Sequence, residues 1–207
     1  KTDSIDNLQY LIMDYIKQGS ELNWAVFGEK LAQLHQIQEK YFGLDHNNYI
    51  GSLEQVNQEC GAWSEFYTNH RLIALTAKAR DQGLFEKKHC NWVEKLCQRL
   101  DELIPACRPS LIHGDLWSGN LLIDTSGHPV LIDPAVYYGH PEMDWAMLSL
   151  FGSYPVEALD HYQNLHPLEK GLNERKDIHQ LYPLMVHLIL FGKGYLNGVE
   201  STLKKYA

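Results

Sequence analysis

The stretch LIHGDLWSGNLLI, residues 111–123, sets a histidine, a carboxylate and an amide between two apolar runs: His113, Asp115 and Asn120. A second carboxylate, Asp133, follows ten residues after that stretch. The segment 121–132 alternates as a β-hairpin turning at TSGH, which folds Asp133 back beside Asn120. One carboxylate and one amide oxygen held side by side suit Mg²⁺, an ion that takes one or two carboxylates together with phosphate oxygens and waters. Asp115, on the loop that enters the hairpin, is then left as a carboxylate free to accept a proton. Metal to neutralise a transferring group and a carboxylate to deprotonate an attacking hydroxyl are the needs of phosphoryl transfer.

The spacing H-x-D-x-x-x-x-N, with an Asp beyond a hairpin, matches a kinase catalytic loop. Where protein kinases usually carry Arg beside the catalytic Asp, this chain has Gly114, so a phosphorylated activation loop has nothing to grip. Ten residues between Asp133 and Asp144 are too few to build a platform for a protein substrate. The acceptor is expected to be a small group entering a pocket. His113 is assigned the structural role of holding the loop backbone. Asp144 has two roles open to it, accepting N–H groups of the catalytic loop or capping its own helix. Trp117 is dispensable for metal binding, and stacking on a sugar face is preferred for it over plain packing. Tyr137, Tyr138 and His140 are candidates for the same mouth, although tyrosine pairs are also common in cores.

The elements that must position these groups are mostly helical. Asn23 can cap a helix carrying Trp24, Phe27, Leu31 and Leu34, and the segment 41–57, rich in Asn, Gly and Asp, reads as loop. Trp63, Phe66, His70, Ile73 and Ala77 form the stripe of a packed helix, and Val93, Leu96, Leu100 and Leu103 repeat it before Pro105. From Glu142 onward the pattern is helical to the end, with Pro183 at a kink or in a first turn. The fold class expected is α+β, mainly helical.

Composition narrows the classes. With 44% hydrophobic and 21% charged residues, the 207-residue chain can bury a full core. A net charge of -8 with no basic run argues against nucleic acid and anionic membrane as partners. No apolar stretch has the length of a membrane span, and a cytoplasmic protein is expected. Cys60, Cys90, Cys97 and Cys107 form no C-x-x-C pair and read as reduced structural thiols. The opening residue, Lys1, reads as a trimmed terminus.

Together HGDLWSGN, IDPAVYYGHPEMDWAM, LFGSYP, FGLDHNNYIGS and FGKGY resemble the fructosamine kinase (ketosamine-3-kinase) family, within the aminoglycoside-phosphotransferase and choline-kinase-like superfamily. The resemblance covers nearly the whole chain. It implies ATP as co-substrate, Mg²⁺ as cofactor and a ketosamine or glycated amine as acceptor, with Asp115 as base and Asn120 and Asp133 as metal ligands. It also implies that LIMDYI is the hinge, where the backbone of Met13, Asp14, Tyr15 and Ile16 meets adenine. Asp14, where Glu is common, and Pro141, where a longer basic residue is frequent, depart from the pattern and leave acceptor details open. The family's N-terminal lobe supplies a glycine-rich loop, a strand lysine and a helix glutamate. None is found in these residues, so 1–18 are expected to be a hinge strand and linker, and 19–207 a protein-kinase-like C-terminal lobe. That lobe alone is expected to be inactive. Two alternatives stand beside this reading: a related kinase of choline, homoserine or an aminoglycoside, and a non-catalytic binding module.

Overall fold

The computed structural model describes residues 2–5 and 8–206; Lys1, and with it the reading of a trimmed terminus, lies outside them. Strands β1 (Thr2–Ile5) and β2 (Leu8–Leu11) pair antiparallel, Thr2 opposite Leu11. The opening segment thus holds a hairpin where the sequence suggested one strand, Leu8–Leu11. A strand's N–H and C=O groups require partners, and here the preceding residues supply them. An extended segment leads to α1 (Trp24–His35), begun by Asn23, whose Oδ1 accepts the Val26 N–H at 3.1 Å. Phe27, Leu31 and His35, four residues apart, lie on its buried face.

The segment expected as loop contains a second hairpin, β3 (Asn48–Ile50) and β4 (Leu53–Gln55), turning on Gly51 and Ser52. Gly51 sits at φ +57, a conformation that two-residue hairpin turns require and glycine adopts at little cost. Next, α2 (Trp63–Phe66), a π-helical stretch (Tyr67–Ile73) and α3 (Ala74–Asp81) follow one another without a break. The i→i+5 bonding of the π stretch shifts the inward face. Trp63 and Phe66 are buried as their spacing predicts, but beyond them Tyr67, Arg71, Leu72, Leu75 and Ala79 face the core. Ile73 and Ala77, expected in the stripe, face outward instead.

Helices α4 (Lys87–Cys97) and α5 (Leu100–Leu103) precede the strands of the site: β5 (Ser110–Ile112), β6 (Leu121–Ile123), β7 (Pro129–Leu131) and β8 (Tyr137–Gly139). The rest is helical: α6 (Glu142–Leu150), α7 (Val156–Leu165), α8 (Leu172–Phe191) and α9 (Leu196–Tyr206). Pro183 lies inside α8. Among the described residues the strands form four separate antiparallel pairs, β1–β2, β3–β4, β5–β8 and β6–β7. The α+β, mainly helical class is thereby observed.

Two hydrophobic cores flank the candidate site. The larger joins the rod of residues 63–81 to α4, α8 and α9, and includes Ile112, Ala135 and Tyr137. The smaller joins α1, α6 and α7 through Phe27, Leu31, Trp145, Ala158 and Tyr162, and includes Leu116. Gly28 lets α1 approach α7, since a Cβ there would run into the Ala158 carbonyl. The loop after β5 therefore has one end, Ile112, in the first core and Leu116 in the second. Each side chain so buried contributes about 1.5–3 kcal/mol, and together they pin the loop from both sides.

Candidate active site

The β6–β7 hairpin closes as its sequence predicts, with Leu121 opposite Leu131. Asp124 Oδ1 accepts the N–H groups of Ser126 and His128, and Gly127 takes φ +78. Below the register, the Ile132 N–H donates to the Asn120 carbonyl at 3.0 Å, so Asp133 begins directly beyond Asn120's partner. Asn120 is buried, and its Nδ2 donates both to the Asp115 carbonyl oxygen (2.9 Å) and to Asp115 Oδ2 (3.1 Å). That orientation leaves Oδ1 facing away with no donor among the described residues. Asp133 is exposed, and its carboxylate takes no hydrogen bond or ion pair from the described residues. Two hard oxygen donors without protein partners fit a divalent cation of the Mg²⁺ type.

Asp115 is half-buried, and burial raises its carboxyl above the usual range, only partly offset by His113 and by the hydrogen bond from Asn120. His113 is buried, and both of its ring nitrogens are hydrogen-bonded. Its Nδ1 accepts the Asp115 N–H at 3.3 Å, so Nε2 carries the hydrogen donated to the Ile132 carbonyl at 2.9 Å. One ring thereby ties the base's loop to the segment that carries Asp133.

Asp144 resolves between its two roles. Its Oδ2 accepts the His113 N–H at 2.7 Å and its Oδ1 the Gly114 N–H at 2.9 Å. Gly114 must be glycine on two counts: φ is +79, and a Cβ would strike the Ala135 carbonyl. Asp144 is fully buried. Burial alone pushes its carboxyl up, but hydrogen bonds from His35 and the His113 amide outweigh this and hold it below the usual range. His35 Nε2 lies 3.1 Å from Asp144 Oδ2, and Nδ1 lies 2.7 Å from the Tyr162 hydroxyl. Tyr162 on α7, His35 on α1 and Asp144 on α6 thus form a buried chain ending on the loop backbone. Sequence reading missed His35 and Tyr162, although a histidine on the buried stripe of α1 signals a partner inside.

The candidate mouth is placed differently. Tyr137 and His140 are fully buried, Tyr137 under the Arg71 guanidinium at 4.1 Å and His140 beside His179 at 4.8 Å between ring centres. Tyr138 alternates to the opposite face of β8 and is half-buried, while its backbone bridges Gly43. The expectation that these three line the open side of the loop is corrected: Tyr137 and His140 belong to the core, and Tyr138 lies on the other face of β8 beside Glu39, Tyr41 and Glu59. Trp117, by contrast, is 38% exposed, with its ring over Gly119 and its edge toward Phe151 at 6.5 Å. Phe151 continues to His187 (4.7 Å), and His187 to Phe191 and Tyr195. His187, hidden within an apolar run of the sequence, is near enough for its charge to lower the Asp115 carboxyl. Its Nδ1 donates to the Pro183 carbonyl at 2.8 Å, leaving Nε2 without a protein partner.

Met13, Asp14 and Tyr15 lie on an exposed extended segment, with Ile16 half-buried. Residues 13–16 make no hydrogen bond with the described residues, and the chain rejoins the hairpin where Gln18 bridges Asp124 and the Gly19 N–H meets the Ile123 carbonyl. One further cluster, His140, Glu142 and His179, has the donor types of a metal site. Its cation position is already served by Arg175, which donates through Nε and Nη2 to Glu142. Burial would raise the Glu142 carboxyl, yet His179 and Arg175 bring it down to about 2, and burial with His179 holds His140 down to about 3. This is a buried ion pair tying α6 to α8.

Known proteins resemble this chain over most of its length. The family model described as fructosamine kinase matches residues 1–207. The chain is 39% identical over 199 residues to a probable ketoamine kinase of Lactiplantibacillus plantarum, covering 95% of this chain and 71% of that one. It is 36% identical over 204 residues to the chloroplastic protein-ribulosamine 3-kinase of Arabidopsis thaliana, covering 95% and 61%. The crystal structure of a candidate fructosamine-3-kinase from Thermobifida fusca superposes with a TM-score of 0.86 at 36% identity, over 93% of this chain and 67% of that one. An ADP-bound aminoglycoside phosphotransferase shares the fold at 15% identity, with a TM-score of 0.55 and coverage of 92% and 69%.

Proposed function

The chain belongs to the fructosamine kinase family, and on that premise we propose that it transfers the γ-phosphoryl group of ATP to a sugar hydroxyl of a ketosamine, a step that initiates deglycation. Asp115 takes the proton of the attacking hydroxyl. A carboxyl raised by burial is a better base near neutral pH than one in water. Asn120 orients Asp115 through Nδ2 and turns Oδ1 toward the metal position, and Asp133 completes the protein's share of the ligands. Mg²⁺, when bound there, neutralises charge on the phosphates during transfer. Trp117 offers a face to the sugar, and His187 Nε2 is free to hydrogen-bond its hydroxyls. Adenine meets the unpaired backbone of residues 13–16. A glycine-rich loop and lysine from an N-terminal lobe of the same protein close over the phosphates, a reading supported by the longer relatives.

No helix among the described residues is long and apolar enough to cross a membrane. The four cysteines are free, which suits a cytoplasm that supplies ATP and keeps thiols reduced. An aromatic rather than acidic mouth favours a sugar over a polycationic aminoglycoside.

The observation that carries this reading is the pair of unpartnered oxygens, Asn120 Oδ1 and the Asp133 carboxylate, beside a half-buried base. To test it, the intact enzyme is incubated with ATP, Mg²⁺ and fructosyl-lysine, and the product is followed by ³¹P NMR. A sugar phosphomonoester formed in step with ADP is expected. Equal turnover with choline or an aminoglycoside would refute the acceptor.

A further inference from the structure

We propose that Gln55 and Asn48, on the β3–β4 hairpin, are positioning residues that hold the backbone of Asp133 in its metal-binding conformation. The proposal rests on the reading of Asp133 as a metal ligand. Asp133 is the one non-glycine residue at positive φ among those described, at φ +50. A residue there carries a strain of about 1–3 kcal/mol and keeps its conformation only when its flanks are over-determined. On the N-terminal side the flank is held by two bonds already described, Ile132 N–H to the Asn120 carbonyl and His113 Nε2–H to the Ile132 carbonyl.

On the C-terminal side the Ala135 N–H donates to the His113 carbonyl at 2.9 Å, but the carbonyls of Ala135 and Val136 precede β8 and have no strand partner. The hairpin supplies one. Gln55 Nε2 donates to the Ala135 carbonyl at 3.1 Å, and Asn48 Nδ2 to the Val136 carbonyl at 2.7 Å. Both amides are themselves oriented. Gln55 Nε2 and Asn57 Nδ2 each donate to Asn48 Oδ1 at 2.8 Å, and the Tyr182 hydroxyl donates to Gln55 Oε1 at 2.8 Å. Arg71 Nη2 donates to Asn57 Oδ1 at 2.8 Å, with its guanidinium over Phe66 and Tyr137.

Arg71 reaches this position because the π-helical stretch turns it inward. Gln55, Asn57, Arg71 and Tyr182 are buried and Asn48 is half-buried, so most of the network is shielded from water. A partly satisfied network of this kind costs more than an apolar core, whereas a satisfied one enforces a single geometry. Neutral amides are required at both positions, because a carboxylate would repel the two carbonyl oxygens. The motif HNNYIGSLEQVN, which contributes no group to the chemistry, thereby gains a role: it sets where Asp133 points.

The test replaces Gln55→Met in the intact enzyme, keeping the length and removing both donated bonds. The probe is Mn²⁺ with ADP, read by electron paramagnetic resonance. Affinity for Mn²⁺ should fall about tenfold or more, the usual effect of removing a group that orients a ligand. The Mg²⁺ concentration for half-maximal turnover should rise by the same factor, with an unchanged KM for fructosyl-lysine at saturating Mg²⁺. In a second variant, Gln55→Met with Tyr182→Phe, no hydroxyl is left unpaired, and the melting temperature should recover while the metal affinity does not. Unchanged Mn²⁺ affinity in Gln55→Met, or affinity that recovers with the melting temperature, would overturn the proposal. Asp133→Ala separates the two ideas. If it loses Mn²⁺ affinity while Gln55→Met does not, positioning alone fails; if it too binds normally, the ligand reading fails and takes the proposal with it.

Discussion

Replacing Asp144 by Asn tests how the catalytic loop is held. The carboxylate accepts three donors: the N–H groups of His113 and Gly114 and the His35 ring. An amide has one acceptor oxygen, so whichever way it turns, its NH₂ faces a donor. If it faces Gly114, one charge-assisted bond worth about 1.5–3 kcal/mol is lost and a buried N–H is left unpaired at about 1–3 kcal/mol. The sum is about 2.5–6 kcal/mol, centred on the range of about 3–5 kcal/mol lost when a buried charged network is broken. Against a native stability of about 5–15 kcal/mol this is a large fraction, and the variant folds provided the wild type stands above the lower end of that range. For a chain of this size the melting temperature should drop by about 6–20 °C.

The sign of the pH dependence follows from the depressed carboxyl. Asp144 contributes stability above the unfolded value of about 3.9, and that stability is lost as pH falls through the lower folded value. Urea unfolding by circular dichroism should therefore show a gap between wild type and variant that is full at pH 7 and narrows below about pH 4. Turnover should fall while the KM for ATP holds, since the loop carries the base and not the nucleotide. A gap that stays constant into acid, or a His35→Ala, Asp144→Asn double variant whose effects simply add, would refute the buried chain.

Asp115→Asn should cut turnover by roughly 10²–10⁴ while Mg²⁺ and ATP still bind. Because the Asp115 carboxyl is raised, its contribution to stability is lost as pH rises through the folded value, so this variant should melt above wild type at pH 7; a lower melting temperature would count against the assignment. Asp133→Ala should raise the Mg²⁺ requirement about tenfold or more in a turnover titration, and Asn120→Ala less, with equal Mg²⁺ curves contradicting both ligands. Trp117→Ala should raise the KM for fructosyl-lysine roughly tenfold, about 1.4 kcal/mol of lost contact, with the KM for ATP unchanged; equal effects on both would favour packing.

Much of the site was legible along the chain because its geometry is local. Asp115, Asn120 and Asp133 belong to one loop and one hairpin, and a hairpin's register follows from its turn residues and alternation. The same holds for the Asn23 cap and for the helices of the C-terminal half. The Gly51–Ser52 turn was equally local, and its signal was present but diluted among the polar residues of 41–57. The stripe of residues 63–77 failed beyond Phe66, because the i→i+5 turns that follow shift the buried face and periodicity assumes a constant pitch.

Non-local partners decided the rest. Asp144 could equally cap its own helix until α1 and α7 packed and brought His35 and Tyr162 to it from residues 109 and 18 positions away. Tyr137 and His140 sat beside Asp133 in sequence, yet the packing of β8 between the rod and α8 buried them, and the aromatic groups that adjoin Trp117 are Phe151 and, next to it, His187. Residue types and spacings determined which chemistry this chain can perform. Which groups face the substrate, and which only hold others in place, depended on burial, and burial is a property of packed faces that no single segment contains.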